Sequence, residues 1–304
     1  MKMLKILGLF LLFAGLVSPA FAKPLNVVTT LSTFADLVEN IGQDLVHVKC
    51  LANPKFNPHF YEPKPTDVLK LRRADLFVHG GLDLEAWRGP LVDAVGSYQF
   101  KEGGEKQLDL SFGIHLLQVP THMLSRAEGD IHLHGNPHYW LDPKNIKRMA
   151  KLIVNKLEKM DPLNQSLYNR NYHSFVDKLD KKIQEWQGQF EEYQGRSVVG
   201  YHNEWVYLMQ FLGLKMPYFL EPKPGIPPTP QHLLFLKKHL KEKKVFLIIT
   251  SGYDPKSDAR KLAEETGTKF IVLAQNVDAL PGTASFFAMM DSNLQKLQEG
   301  LGYA

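Results

Sequence analysis

The sequence predicts an α/β protein of two lobes, each a mainly parallel sheet with covering helices, joined by one long backbone helix. Three observations carry this. Short β-branched runs alternate with helical patterns through residues 25–79, and the same rhythm restarts after Gly195. Between them lies a long amphipathic stretch, with Leu163, Leu167, Tyr172, Phe175, Leu179, Ile183, Trp186 and Phe190 as its apolar stripe.

The elements follow in order. Leu25–Leu31 is a buried first strand, and the helix after it starts at Ser32 or Thr33. Val46–Leu51 is the second strand. Three prolines within residues 58–65 then exclude a regular helix or a central strand, so His59 sits on a stiff loop. Thr66 caps a helix over Asp67–Arg73, and Ala74–His79 is the third strand, with His79 structural. Ser111–Val119 has a strand pattern, and Thr121–Asp130 is an exposed loop. His115 and His122 have no supporting context.

Pro143–Met160 is helical, with Ile146, Met149, Ala150, Ile153, Val154 and Leu157 as one apolar stripe. Asp142 caps it and Pro143 fits its first turn. A second helix runs from Asp161 to about Tyr193; some 30 residues make it roughly 45 Å long, a rigid strut between lobes. Beyond Gly195 the expected order is strand Ser197–Tyr201, helix Asn203–Leu212 stopped by Gly213, strand Leu214–Leu220, and a proline-dense loop from Glu221 to Pro230. Helix Gln231–Lys241, strand Val245–Thr250, helix Pro255–Thr266, strand Lys269–Leu273 and helix Phe286–Gly300 complete the chain. The expected organisation is residues 1–22 as a signal peptide, 23–160 as the first lobe, 161–194 as the linking helix and 195–304 as the second lobe.

The start of the chain has a basic n-region, an apolar run from Ile6 to Val17 and an A-x-A site ending at Ala22. That run is too short to span a bilayer comfortably. The expectation is cleavage after Ala22 and a protein free in the periplasm; with no cysteine after the apolar run, no lipid anchor is expected. The formal charge of +4 falls to about +2 once Lys2 and Lys5 are removed, which gives no reason to expect nucleic acid as a partner. Cys50 is the single cysteine, so no internal disulfide forms, and its strand setting marks it as a small core residue.

The stretch from His132 to Pro143 carries three histidines within seven residues, and Gly135 and Pro137 keep them out of a helix. His59, His138 and His202 share one setting: each follows a strand end or turn, on a loop aimed away from its sheet. Ligands of open α/β sheets bind outside the carboxyl ends of the strands. If the lobes face each other, these imidazoles converge in the cleft. Three neutral imidazoles and one oxygen make a tetrahedral zinc site, whereas manganese favours more oxygen. No HExxH pair is present.

The chain resembles the periplasmic zinc/manganese solute-binding proteins of ABC importers, the cluster A-I group whose two lobes are joined by one rigid helix. The matching segments are Asn57-Pro58-His59, Arg73–Leu76, Leu82–Trp87, Asn136–Pro143, Tyr201-His202 and Glu264–Gly267. The resemblance implies that His59, His138 and His202 are ligands of a transported Zn2+, with Mn2+ as the other candidate. It implies delivery to an inner-membrane permease by a monomer, and no enzyme activity. Relatives carry an acidic fourth ligand after the last strand, where Asp278 stands, although the usual Asp-Pro-Leu-Gly form is not intact. Glu62, Glu221 or a water are the alternatives. His132 and His134 stand where zinc members carry a longer His/Asp/Glu-rich insertion, and either capture metal transiently or only solvate the loop. Asp142 caps its helix or orients an imidazole, and Trp87, Trp140 and Trp205 pack the cleft walls. Two other readings stay open: a secreted zinc hydrolase with Glu62 or Glu221 as base, and an adhesin-like protein with a structural metal.

Overall fold

A computed structural model describes residues 23–121, 132–223, 225–242, 245 and 247–302. The expected signal peptide and most of the 121–130 loop, including His122, lie outside the described residues.

The first lobe runs β1 (Leu25–Thr29), α1 (Ser32–Gly42), β2 (Val46–Cys50), α2 (Pro65–Arg72), β3 (Leu76–His79), α3 (Arg88–Val95) and β4 (Gln107–Asp109). Its four strands are parallel, in the order β2-β1-β3-β4. The second lobe runs β5 (Ser197–Gly200), α6 (Val206–Leu212), β6 (Lys215–Phe219), α7 (Pro230–Glu242), β7 (Leu247–Ser251), α8 (Ser257–Thr266), β8 (Lys269–Leu273) and α9 (Phe286–Leu301), numbering α4 (Pro143–Met160) and α5 (Gln165–Gly188) between the lobes. Its order, β6-β5-β7-β8, repeats that of the first, again all parallel. In each lobe the chain winds outward in both directions from the first strand, which makes that strand's carboxyl end a switch point for ligands. β3 and β7 are buried at every residue, as strands covered on both faces must be.

Helix periodicity decided correctly where apolar stripes are strong. α1 buries Phe34, Leu37, Val38 and Ile41, and α4 buries the whole predicted stripe. Asp142 caps α4 as expected, its carboxylate accepting from the Lys144 N–H at 2.8 Å. α6 ends at Gly213, whose φ of 69° needs a residue without Cβ strain.

Three expectations need correction. The strand expected over Ser111–Val119 is absent; β4 stops at Asp109, whose carboxylate takes the Ser111 N–H and hydroxyl and turns the chain, and Gly113 at φ 73° prevents extension. α2 starts at Pro65, not after a Thr66 cap, because Asp67 reaches back to the Lys64 N–H at 2.8 Å. The strut is shorter than expected. α5 has 24 residues, roughly 36 Å, with separate 3-10 turns at Pro162–Asn164 and Glu191–Tyr193. α3 has no counterpart among the expected elements; Pro90 is tolerated in its first turn because an N–H there has no helical partner.

α5 still ties both halves. Asn171 donates to the Ile41 carbonyl of α1 at 3.0 Å, while the Trp186 indole donates to Asp291 of α9 at 2.8 Å and Phe175 packs on Phe287. A second set of ties crosses the cleft floor. Ser32 donates to the Val277 carbonyl at 2.7 Å, Trp140 to the Gln275 carbonyl at 2.9 Å, and Asn136 to the Asn203 carbonyl at 2.7 Å. Asp36 accepts from the Phe286 N–H, and the Tyr207 hydroxyl donates to the Asn136 carbonyl at 2.8 Å. These bonds, those of Trp140 and Tyr207 fully buried, hold the strand ends of the two sheets toward each other. Among the described residues no helix is long and apolar enough to cross a membrane.

Candidate metal centre

Two copies of the tripeptide Asn-Pro-His build half of the site. In each, the asparagine Oδ1 accepts the backbone N–H of the histidine two residues on, at 3.0 Å for Asn57–His59 and 3.0 Å for Asn136–His138. The proline between fixes φ and gives up no needed donor. The result is a stiff turn that presents an imidazole. The first turn is pinned further by the Trp87 indole, which donates to the Pro58 carbonyl at 2.9 Å. The third imidazole, His202, follows β5 directly at its carboxyl end.

These turns bring His59, His138 and His202 together. One ring nitrogen from each lies within 4.8 Å of the other two. Ring centroids are 5.2 Å apart for His59–His138, 5.8 Å for His59–His202 and 5.7 Å for His138–His202. The Nε2 atoms of His59 and His138 face each other at 3.2 Å. Tetrahedral donors at zinc–nitrogen distances of about 2.0–2.1 Å stand roughly 3.3 Å apart, so this pair has the spacing an ion requires.

The tautomers are set from outside. Asn136 Oδ1 already accepts from the His138 backbone and also meets Nδ1 of the ring at 3.0 Å. An oxygen there must be met by Nδ1–H, which leaves the Nε2 lone pair facing the site. Glu221 does the same for His202, with Oε2 2.7 Å from Nδ1. Burial pushes His59 and His138 well below the ordinary imidazole pKa, and the neighbouring imidazoles push the same way. Both rings are therefore neutral and ready to donate lone pairs at neutral pH.

A fourth imidazole stands beside these. The His132 centroid lies 5.0 Å from His59 and 5.9 Å from His138, and its Nδ1 is 2.8 Å from Asp83 Oδ1. His134, two residues on, is exposed.

The structure leaves the acidic candidates outside the cluster. Asp278 is exposed and holds a left-handed φ of 62°; burial raises the carboxyl pKa of Asp36 and Glu39 on α1 and the nearby Asp278 adds to both, so its turn lies against α1 and outside the imidazole group. Glu62 is exposed. Glu221 is present but occupied: its Oε2 serves the His202 ring and the Gly225 N–H. Asp142 is confined to capping α4, and the orienting role falls to Asn136 and Glu221. Trp140 and Trp205 are fully buried and Trp87 nearly so; they are wall residues. Cys50 is no candidate ligand, as burial pushes its thiol up to about 12.

Several residues had been missed. Asn136 and Asn57 were visible as repeated Asn-Pro-His signatures. Asp83 had no sequence signal linking it to His132. Glu204 is completely buried behind His202 and accepts from Tyr253 at 2.6 Å and Gln275 at 2.5 Å, a cluster assembled from three separate loops.

The ZnuA family profile, described as the zinc-uptake complex component A, periplasmic, matches residues 27–300. The chain belongs to the ZnuA family. Among curated relatives it is 28% identical to the manganese ABC transporter substrate-binding lipoprotein PsaA of Streptococcus pneumoniae, over 97% of this chain and 94% of that protein. It is 27% identical to the metal ABC transporter substrate-binding lipoprotein FimA of Streptococcus parasanguinis, over 97% and 94%. A solved zinc-bound deletion mutant of ZnuA superposes with a TM-score of 0.76 at 24% identity, covering 91% of this chain and 98% of that one. Two parallel-sheet lobes linked by a long helix are thus the ZnuA architecture.

These ZnuA-family relatives correct one expectation. A protein free of any lipid anchor was inferred from the missing cysteine after the apolar run. PsaA and FimA are both named lipoproteins, which runs against that inference. The reading rested on residues 1–22 alone, outside the described residues, and the unanchored localisation is withdrawn.

Proposed function

We propose that this protein is the metal receptor of an ABC importer, that zinc is its cargo, and that His59, His138 and His202 hold the ion. One observation carries the reading: three imidazoles from loops of both lobes converge within 4.8 Å. The donor chemistry supports zinc, because neutral nitrogens suit a borderline-soft tetrahedral ion and manganese prefers oxygen. The family supports a binding role in place of catalysis: the ion is bound, carried to a membrane permease and released, and no bond is broken. A hydrolase would need a carboxylate base at the ion, and both candidates stand elsewhere or are already engaged. The direct test is metal analysis of protein purified without added metal, wild type beside His59→Ala, His138→Ala and His202→Ala. The wild type is expected to retain about one zinc per chain, and no alanine form to retain it. Equal metal content in all four would overturn the reading.

Glu221 provides a finer prediction. Glu221→Gln keeps shape but weakens the acceptor that fixes the His202 tautomer, so zinc affinity should fall about 10- to 100-fold. Competition with a chromogenic chelator measures this. A change under twofold would mean that Glu221 does not orient the ring.

The low pKa values of His59 and His138 also predict a pH dependence of the metal-free fold. Folded, both rings stay neutral; unfolded, both take up protons as the pH falls through about 6.5. Unfolding then takes up protons, so stability is full above that pH and declines below it, until the folded values are reached. The decline is expected to approach about 1.4 kcal/mol per pH unit for each ring. Urea midpoints at pH 7.5, 6 and 5 would show it, and a His59→Gln/His138→Gln double variant should lose most of the slope. The same displacement puts acid release of zinc below the pH of about 6 that a free imidazole would suggest.

A further inference from the structure

We propose that His132 is the fourth donor, so that the ion is held by four imidazoles, and that Asp83 is the carboxylate that positions it. This rests on the zinc-receptor reading and adds to it the residue that completes the coordination shell.

The geometry is the first support. With a ring centre about 1.1 Å beyond its donor nitrogen, four imidazoles around tetrahedral zinc hold their centroids roughly 5.1 Å apart. His132 stands 5.0 Å from His59 and 5.9 Å from His138, just below and just above the 5.2–5.8 Å range of the triad itself. Its donors fall outside the tight group of three, so metal binding must draw the ring the remaining distance toward His202.

The hydrogen bonding is the second support. Asp83 Oδ1 meets His132 Nδ1 at 2.8 Å, and Asp83 Oδ2 accepts the Leu133 N–H at 2.7 Å. One carboxylate thus holds both the ring and the backbone beside it. The arrangement repeats that of Glu221 and His202: an acidic oxygen on Nδ1, and Nε2 left as the lone pair. The His132 Nε2 is buried and has no hydrogen-bond partner among the described residues. A buried ring nitrogen without a partner is costly; a bound cation in the neighbouring cluster removes that cost.

The alternatives are the third support. Asp278 and Glu62 are exposed and outside the cluster, and Glu221 is engaged with His202 and Gly225. Among the described residues no carboxylate oxygen joins the group of ring nitrogens that lie within 4.8 Å of one another. An all-nitrogen shell also sharpens selection, disfavouring manganese more strongly than three nitrogens and a carboxylate would.

The experiment uses the whole mature chain loaded with Co2+ as an optical probe and with Zn2+ for affinity. Wild type, His132→Ala, Asp83→Asn, His134→Ala and His138→Ala are compared, with metal-free thermal melts to show that each is folded. Four nitrogens around Co2+ give intense visible d–d bands. His132→Ala is expected to weaken those bands and shift them as a solvent oxygen replaces nitrogen, with zinc affinity down at least about tenfold. Asp83→Asn should keep the wild-type bands while losing about tenfold in affinity, and His134→Ala should match wild type. X-ray absorption on the zinc form should count four imidazoles in wild type and three in His132→Ala. Unchanged bands and imidazole count in His132→Ala overturn the proposal even if affinity falls, because the residue is then only structural. If His138→Ala also binds zinc normally, the receptor reading itself has failed; if only His132→Ala is silent, the triad stands and the fourth donor lies elsewhere.

Discussion

Replacing His138 by alanine is expected to abolish tight metal binding, with a loss of at least about 1,000-fold in zinc affinity, or roughly 4 kcal/mol. His138 is the most deeply enclosed of the three imidazoles, with no exposed surface. It lies next to every other ring of the cluster, at 5.2 Å from His59, 5.7 Å from His202 and 5.9 Å from His132. Its backbone and ring are both fixed by Asn136, whose amide in turn donates across the cleft to the Asn203 carbonyl. The orientation of its lone pair is therefore prepared before the ion arrives, and alanine leaves no nitrogen donor in that place. Chelator competition measures the loss, and a decrease of less than tenfold would exclude His138 from the coordination shell. Thermal melts of the metal-free variant guard against misfolding. Removal of a buried, uncharged ring that sits on no core stripe should leave the fold intact, and relieving the crowded imidazoles offsets part of the lost packing.

The second large effect is on stability. Trp140→Ala is expected to lower it by about 4–5 kcal/mol, within reach of the whole margin of an ordinary domain. The indole is fully buried, meets Phe34 edge-on at 5.8 Å, and packs against the His138 ring at 5.4 Å. Its N–H donates at 2.9 Å to the Gln275 carbonyl of the other lobe. Alanine removes the ring volume and leaves that carbonyl without its partner. Trp140→Phe separates the two terms: it restores most of the volume and is expected to cost about 1–2 kcal/mol, mainly the lost hydrogen bond. Urea unfolding of the metal-free forms gives both values. If Trp140→Ala costs under about 1 kcal/mol, the cleft floor is not a shared core.

How far the chain could be read before folding depended on which kind of signal each element carries. α4 was found to the residue because its stripe, its Asp142 cap and its Pro143 agree. Seven of the eight strands match an expected run because buried parallel strands read as short β-branched runs; the exception is β4, three half-buried residues without that signature. The 111–119 stretch failed because an apolar pattern was read without weighing Gly113 and the turn that Asp109 makes with Ser111. α3 lies in a stretch for which no element was expected; it is only eight residues long and buries just Leu91, Val92 and Val95, too little for a periodic stripe. The strut was overextended because amphipathic periodicity runs on through 3-10 turns, which share much of the same spacing.

At the site, local chemistry and long-range geometry divide the credit. The sequence by itself determined two stiff Asn-Pro-His turns, a histidine at a strand end, and hence a candidate imidazole triad, because those features are set by residues two or three apart. Only the tertiary structure decided what surrounds the rings. It moved Asp278 to an exposed turn beside α1, gave Glu221 to the His202 Nδ1, and set His132 and Asp83 beside the cluster. Such placements depend on contacts between residues tens to hundreds of positions apart, fixed when two sheets are locked face to face by buried hydrogen bonds, and no local pattern encodes that distance.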